Sequence, residues 1–358
     1  MILRYLILAL TTRCNLSCAY CYIGGGGLGT DMGPEAMDAA FNLARRAVSP
    51  AEWGDGSGGG PLHIQLTGGE PTLVPRLIER AIRKTRALAR PVTLGIQTNA
   101  ARLTPAMASL LRENGVQVGV SLDGPPAVQD RLRGRAGETL RGLQVLEAGG
   151  VPFRVTAVVT RESAAHLKSL ALLLAGFRQA RGIGLDLLVR KGRAAQNGTA
   201  VAPVSPEVLR DGVRALAETL DAANARRDSP IRFRERDWVR RALKTGGRES
   251  EFCHAARGES LAVHPDGRLF PCGQTMGDSR FAAGTVFRPE LERLDAFPPR
   301  PPSIPSPDHP LAVSSGSAPD CGDCPLVGRC PGECPSRLFY NDGGRRLHCV
   351  MYRALASF

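Results

Sequence analysis

Three cysteines on one short loop constrain this chain more than any other feature. Cys14, Cys18 and Cys21 stand at a CxxxCxxC spacing inside Thr12-Arg13-Cys14-Asn15-Leu16-Ser17-Cys18-Ala19-Tyr20-Cys21-Tyr22, directly after the apolar run Leu3 to Leu10. Thiolates so placed can hold three irons of a [4Fe–4S] cube and leave the fourth iron free. Clusters that only transfer electrons are closed by four cysteines. The loop therefore points to chemistry at an open iron. A zinc knuckle would need a second ligand pair nearby, and the next cysteine is Cys253.

Beyond the loop, apolar runs alternate with amphipathic stretches. Strands are expected at Leu3–Leu10, His63–Leu66, Val92–Gln97, Val116–Leu122, Phe153–Val159 and Ile183–Val189. Helices are expected at Pro34–Val48, Val74–Leu88, Pro105–Asn114, Leu140–Ala148, Ala164–Ala180 and Pro206–Ala225. This order makes a parallel α/β sheet, and no dinucleotide glycine fingerprint follows the first strand. The expected fold class is α/β, a partial (β/α)6 TIM-like barrel over residues 1–228. Chemistry in such barrels sits at the C-terminal strand ends. The cysteine loop, Gly68-Gly69-Glu70-Pro71, Gln97-Thr98-Asn99 and Ser121-Leu122-Asp123-Gly124 all follow strands, so the four converge on one face.

The chain has 358 residues, 43% hydrophobic and 22% charged, enough to bury a core. Its net charge is +12, carried almost wholly by scattered arginines, with lysine only at Lys84, Lys168, Lys191 and Lys244. No basic block interleaves with aromatics, so nucleic acid is not an expected partner; an acidic peptide suits the charge. Met1 to Leu10 is too short to span a membrane and lacks the marks of a signal peptide. A cytoplasmic location without membrane partners is expected. Ten cysteines in that reducing setting argue for metal ligation over disulfides.

From about Asp228 the alternation is read as stopping. A hairpin is expected from Leu261 to Phe270 around His264-Pro265-Asp266-Gly267, and Pro289 to Pro310 reads as an irregular segment. Cys253 is followed by thirteen residues, Gly267, four residues and Cys272. Cys321-x2-Cys324-x5-Cys330-x3-Cys334 and Cys349 come later. Residues 229–358 are thus a cysteine-rich second domain. Disulfides give no reason for such regular pairs, and a zinc ribbon is the alternative for the last five.

The CxxxCxxC loop, with Gly68-Gly69-Glu70-Pro71 after the second strand, resembles the radical S-adenosylmethionine (SAM) enzymes. The later cysteines resemble the SPASM extension of family members that modify peptides. The resemblance implies that Cys14, Cys18 and Cys21 hold a cluster whose open iron chelates SAM. Reductive cleavage then yields a 5′-deoxyadenosyl radical that takes a hydrogen atom from substrate. It places Tyr20 at the adenine, and Gly68, Gly69 and Glu70 at the methionyl end. Asn99 and Ser121 fall at ribose- or carboxylate-contacting positions, and Arg133 or Arg141 serves the SAM carboxylate. It further implies two auxiliary [4Fe–4S] clusters, three clusters in all. Cys321, Cys324, Cys330 and Cys349 would ligate the distal one, and Cys253, Cys272 and Cys334 the nearer one. For the nearer cluster's fourth ligand, Glu259, an open iron and a substrate thiolate all stand.

The implied function is an oxidoreductase that matures a precursor peptide, closing a thioether or carbon–carbon crosslink, as in the biosynthesis of ribosomally made peptide natural products. An electron donor such as flavodoxin or ferredoxin is an implied partner. The first strand begins almost at once, so leader recognition is expected from the barrel, the cysteine-rich domain or a separate leader-binding protein. The alternative is an anaerobic sulfatase-maturing type of enzyme, oxidising Cys or Ser to formylglycine. Those enzymes carry a general-base Asp directly after the cysteine equivalent to Cys272; here Gly273 and Gln274 follow, and Asp278 is the nearest substitute. No catalytic residue is assigned. His254 and His348 adjoin ligand cysteines and are candidate hydrogen-bond donors to sulfur, and the six histidines form no metal-ligand pattern.

Overall fold

The computed structural model describes residues 2–23, 29–46, 61–196, 201–245, 252–294, 323–341 and 347–358. Cys321, Val48 and residues 295–310 of the proline-rich segment lie outside them.

The first strand, β1 (Tyr5–Ala9), alternates, with Leu6 and Leu8 fully buried and Tyr5 and Ile7 half-buried. Helix α1 (Pro34–Arg46) buries Met37, Ala40, Phe41 and Ala44, the stripe a helix needs to lie on a sheet. In β2 (Leu62–Thr67), Leu62, Ile64 and Leu66 point the same way as Leu6 and Leu8, into the layer under the helices. The alternation continues through α2 (Pro75–Arg86), β3 (Val92–Thr98), α3 (Pro105–Glu113), β4 (Gln117–Ser121), α4 (Pro126–Leu132), α5 (Ala136–Ala148) and β5 (Phe153–Val159). Helix α3 starts where the Thr104 hydroxyl accepts the Met107 N–H, a side-chain cap.

The helix expected over 164–180 is instead two pieces. The first, α6 (Arg161–Ala164), is opened by a reciprocal cap between Thr160 and Ser163; the second, α7 (Leu167–Ala175), ends at Gly176. The Arg227 guanidinium donates to the carbonyls of Ala175, Phe177 and Ala180. It thereby satisfies acceptors just where the chain leaves the helix. Strand β6 (Ala180–Leu187) follows, then α8 (Arg193–Gln196) and α9 (Pro206–Asn224).

The alternation does not stop at Asp228. Strand β7 (Arg232–Phe233) and helix α10 (Arg234–Thr245) add a further unit, but a two-residue strand leaves no periodic trace in a sequence. The expected hairpin is present as β8 (Ser260–Val263) and β9 (Leu269–Phe270), antiparallel to each other. Helices α11 (Pro335–Tyr340) and α12 (Leu347–Ala356) complete the described residues.

Among the described residues the strands form one nine-stranded sheet in the order β7-β6-β5-β4-β3-β2-β1-β8-β9. Every pair except β8–β9 is parallel. Strand β8 pairs with β1 in the register Tyr5 opposite Ser260. The sheet of the barrel therefore runs on into residues expected to form a second domain. No helix among the described residues is long and apolar enough to cross a membrane.

Candidate active site

The half-buried alternates of the strands face a cavity of about 480 Å³. Ile7, Gln65, Gln97, Ser121, Val158 and Asp186, one from each of β1 to β6, line it. Residues from six neighbouring strands can share one cavity only if the sheet curls around it. Cys14, Cys18 and Cys21 open onto this space, as do Gly273 and Gln274 from the far end of the chain. The convergence expected from the strand ends is therefore present.

The cysteine loop is braced on three sides. Asp31 accepts from the Thr11 hydroxyl (2.6 Å) and from Arg13 Nε (2.9 Å). The Ala19 N–H donates to the Leu132 carbonyl of α4 at 2.8 Å. The Arg193 N–H donates to the Cys21 carbonyl (3.0 Å), and its Nη1 to that of Cys18 (3.3 Å). Burial pushes the Cys14 thiol up to about 11, with Glu70 and the other two cysteines adding to the shift. Cys18 is raised for the same first reason.

Gly68-Gly69-Glu70 fits against the loop's own backbone. The Gly69 N–H donates to the Thr11 carbonyl (2.7 Å) and the Glu70 N–H to that of Arg13 (2.8 Å). A Cβ on Gly68, which also has a positive φ, would meet the Thr11 carbonyl oxygen at 2.3 Å, and one on Gly69 would meet that of Arg13 at 2.2 Å. The glycines are thus required for the approach of two protein segments. Glu70 is 1% exposed. Its carboxylate accepts from Thr72 N–H (3.0 Å), the Thr72 and Thr98 hydroxyls (2.6 Å each) and Asn99 N–H (2.7 Å). Burial raises its pKa against these bonds. Two of these four bonds, from Thr98 and Asn99, join the turn after β2 to the end of β3.

Tyr20 is buried and donates its hydroxyl to Asp123. Arg133 holds the same carboxylate through Nε (2.9 Å) and Nη2 (3.2 Å), and its guanidinium lies 5.2 Å over the Tyr20 ring. Arg133 lines the cavity. Arg141 is exposed on α5 and does not line it. Of the two candidate arginines, only Arg133 is at the site. Asn99 Nδ2 lies 4.0 Å from Cys14 Sγ and donates to Asn15 at 2.9 Å, and the Ser121 hydroxyl accepts from Gln97 at 2.9 Å. Both line the cavity beside the cysteine loop.

The sequence pattern of the radical SAM superfamily matches residues 8–174, the span from β1 to α7 that carries this loop and these strand ends. The chain carries a radical SAM domain. It is 26% identical over 351 residues to a serine-type anaerobic sulfatase-maturating enzyme of Klebsiella aerogenes, covering 95% of this chain and 80% of that protein. It is also 32% identical over 197 residues to an uncharacterized protein of Methanocaldococcus jannaschii, covering 53% of this chain and 64% of that protein. In fold it is similar to the solved anSMEcpe with bound AdoMet and Cp18Cys peptide, at a TM-score of 0.73 and 19% identity over 99% of this chain and 95% of that one. Streptococcus suis SuiB bound to precursor peptide SuiA matches at a TM-score of 0.62 and 14% identity, over 94% of this chain and 73% of that one.

The cofactors of this radical SAM protein are SAM and [4Fe–4S] clusters. Cys14, Cys18 and Cys21 are free thiols on one cavity wall. Among the described residues no three His, Cys, Asp or Glu side chains converge on a single point suited to one ion. The three thiols border a shared space, with room beside them for an organic cofactor, and this fits the cluster and its SAM.

A second group of thiols sits behind the β8–β9 hairpin. Cys253, Cys272 and Cys334 are all half-buried and free. Burial pushes the Cys334 thiol up to about 12, with Cys272 and Cys253 contributing. Cys272 Sγ lies 3.3 Å from the Ser336 hydroxyl and Cys334 Sγ 3.5 Å from Gln274 Oε1. The group fits the nearer auxiliary cluster. Glu259 is engaged elsewhere. Its Oε2 contacts His254 Nδ1 (2.9 Å) and Arg257 Nε (3.0 Å), and its Oε1 lies 3.4 Å from Arg4 Nε. Lys191 bonds the two halves of the site together. Its Nζ donates to the carbonyls of Gln274 (2.8 Å) and Met276 (2.6 Å), and the next residues, Gly192 and Arg193, press on Cys21.

Asp186 and Arg234 were not singled out from the sequence, yet both line the cavity. Arg234 Nη2 donates to Asp186 at 2.8 Å, and Arg234 Nε to the buried Glu235 at 2.6 Å. Gly184 makes room for the guanidinium, since a Cβ there would fall 2.7 Å from Arg234 Cζ. A charge inside the apolar run Ile183–Val189 was the available signal for Asp186. Arg234 lies just past the point where the alternation was read as ending.

Proposed function

We propose that this protein matures a precursor peptide, taking a hydrogen atom from one residue and closing a thioether or carbon–carbon crosslink, in the biosynthesis of a ribosomally made peptide natural product. SAM on the reduced Cys14/Cys18/Cys21 cluster supplies the hydrogen abstraction. The chain's own residues hold the peptide and dispose of what is left. Crosslinking removes two hydrogens from the peptide, one as the abstracted atom and the other as a proton and an electron. For the proton the cavity offers Asp186, whose side chain is 41% exposed into it beside Arg234. For the electron, Cys253, Cys272 and Cys334 would hold the accepting [4Fe–4S] cluster; Cys272 precedes Gly273 of the cavity lining, and Cys334 Sγ lies 3.5 Å from Gln274 Oε1.

The observation that carries this reading is the loop after Cys272. It turns Gly273 and Gln274 to the cavity and no carboxylate. Asp278, the nearest substitute, does not line the cavity and is held by Arg280 (2.9 and 2.7 Å) and the Tyr340 hydroxyl (2.8 Å). The proposed setting is the cytoplasm, with flavodoxin or ferredoxin as electron donor and, where the barrel does not read the leader, a separate leader-binding protein.

Similarity over nearly the whole chain to a serine-type anaerobic sulfatase-maturating enzyme favours a second reading, oxidation of Cys or Ser to formylglycine. Asp186 would then stand in for the missing base. Anaerobic co-expression with peptides encoded in neighbouring reading frames separates the two. Crosslinking gives loss of two hydrogens, silent fragmentation inside the ring and no aldehyde. An aldehyde captured by a hydrazide probe would overturn the crosslinking proposal.

A further inference from the structure

Strand β7 runs for only two residues, and its pairing with β6 reaches Gly182 and Ile183 alone. Two side chains take over where the strand stops. Glu235, 6% exposed, accepts the Leu185 N–H at 3.1 Å, and Arg234 Nη2 donates to the Leu185 carbonyl at 2.9 Å. The edge of β6 is thus satisfied by side chains where a longer β7 would have paired. That role accounts for Glu235 and for one part of Arg234.

The rest of the guanidinium has no such use. Its Nε donates to Glu235, and its Nη2 to Asp186 and Leu185. Nη1 is a further N–H donor of the fork, and it makes no hydrogen bond among the described residues. The Arg234 side chain is 53% exposed where it lines the cavity. Gly184 keeps that space open, because a Cβ there would fall 2.9 Å from Nη1 as well as 2.7 Å from Cζ.

Charge decides what Nη1 can take. The guanidinium's charge is already met by Asp186 and the buried Glu235, so an incoming carboxylate would face two groups of its own sign. A neutral carbonyl oxygen accepts without that repulsion, and a charge-assisted bond to it is a strong one. An extended peptide presents such an oxygen at every residue. Arg234 stands where one can reach it, on the cavity wall and just past β7, the end strand of the sheet among the described residues. We propose that Arg234 is a peptide-binding residue, its Nη1 donating to a backbone carbonyl of the substrate and holding the reacting residue beside Asp186. The inference rests on the reading that the cavity takes a peptide, and not on which product is formed.

The test titrates the reconstituted full chain, with SAM, into fluorescently labelled peptides encoded in neighbouring reading frames, reads anisotropy, and pairs this with steady-state kinetics. Arg234→Lys keeps the charge but loses the fork that both holds the β6 edge and reaches outward. It and Arg234→Gln should raise Kd and KM for the peptide by about tenfold or more, with a smaller change in kcat and SAM affinity unmoved. Gly184→Ala leaves the arginine in place but displaces its guanidinium, and should act in the same direction. A scan of backbone amide-to-ester replacements, each weakening one carbonyl acceptor, locates the contact. One ester should weaken binding to wild type and cost Arg234→Gln little. Melting temperatures show which variants fold; if the Arg234 variants do not, Gly184→Ala and the same scan on it decide. If folded variants bind the peptide as wild type does, or every ester costs both proteins equally, the inference is overturned while the peptide reading survives. A wild type that binds none of these peptides removes that reading, and the inference with it.

Discussion

Arg133 grips Asp123 through two hydrogen bonds, 2.9 and 3.2 Å long, around a carboxylate that is wholly enclosed. The Val158 N–H and the Tyr20 hydroxyl converge on the same group. Removing one partner of such a pair leaves an uncompensated buried charge, which costs about 3–5 kcal/mol. Arg133→Leu should therefore lower the melting temperature sharply and weaken SAM binding by at least about tenfold, since a charge-assisted contact contributes about 1.5–3 kcal/mol. Arg141→Ala should stay within about 0.5 kcal/mol of wild type and bind SAM normally. Thermal denaturation and calorimetric titration with SAM check both; equal SAM binding by the Arg133 variant would remove it from the site.

Gly69 packs its backbone against the cysteine loop, donating its N–H to the Thr11 carbonyl at 2.7 Å. A Cβ there would lie 2.2 Å from the Arg13 carbonyl oxygen, a clash the backbone can relieve only by moving the loop. Three [4Fe–4S] clusters give about 12 irons per chain. Gly69→Ala should lose about four of them, as should the Cys14/Cys18/Cys21 triple alanine variant. A Gly69→Ala protein with full iron and an unchanged SAM-dependent EPR signal would show that the loop tolerates the shift.

Asp278 gives the protein a measurable acid sensitivity. Burial pushes its carboxyl up, but hydrogen bonds from Arg280 and Tyr340 outweigh this and hold it down at about 2. An unfolded Asp titrates near about 3.9. The folded state thus binds fewer protons, so the stabilisation is complete above about pH 4 to 5 and is lost as pH falls towards about 2. At about pH 6 wild type should exceed Asp278→Asn by about 1–2 kcal/mol, after allowance for solvent screening. Denaturant midpoints across this range check the sign. A gap that widens on acidification would refute it.

Asp186 is the cavity carboxylate not already saturated by backbone and hydroxyl donors. Asp186→Asn keeps an acceptor for Arg234 but removes the proton acceptor. With a modified peptide in hand, product formation should fall by about a hundredfold or more, while 5′-deoxyadenosine continues to form. Loss of both together would mean that Asp186 positions the peptide and does not take its proton.

Much of this architecture was legible because each of the first four strands ends in a sequence with its own chemistry. Gly68-Gly69-Glu70 could be read from its order after Cys14, Cys18 and Cys21, but its close approach to Thr11 and Arg13 could not. Arg133 and Arg141 could not be separated in one dimension, because only the turn between α4 and α5 decides which of them reaches Asp123. Asp186 was hidden in a run read only as a strand, and its side chain is 41% exposed where β6 lines the cavity.

The pairing of β8 with β1 has a consequence for how the molecule can be divided. Cutting the chain at residue 228 would strip β8 away and bare the edge of Tyr5–Ala9, a short apolar strand with a row of unpaired donors and acceptors. Such an edge invites pairing with another chain. The same ladder fixes the spacing between the strand that enters the cysteine loop and the hairpin that leads to Cys272, at about 4.8 Å from strand to strand. The separation of the two cysteine-bearing segments is therefore set by a sheet register.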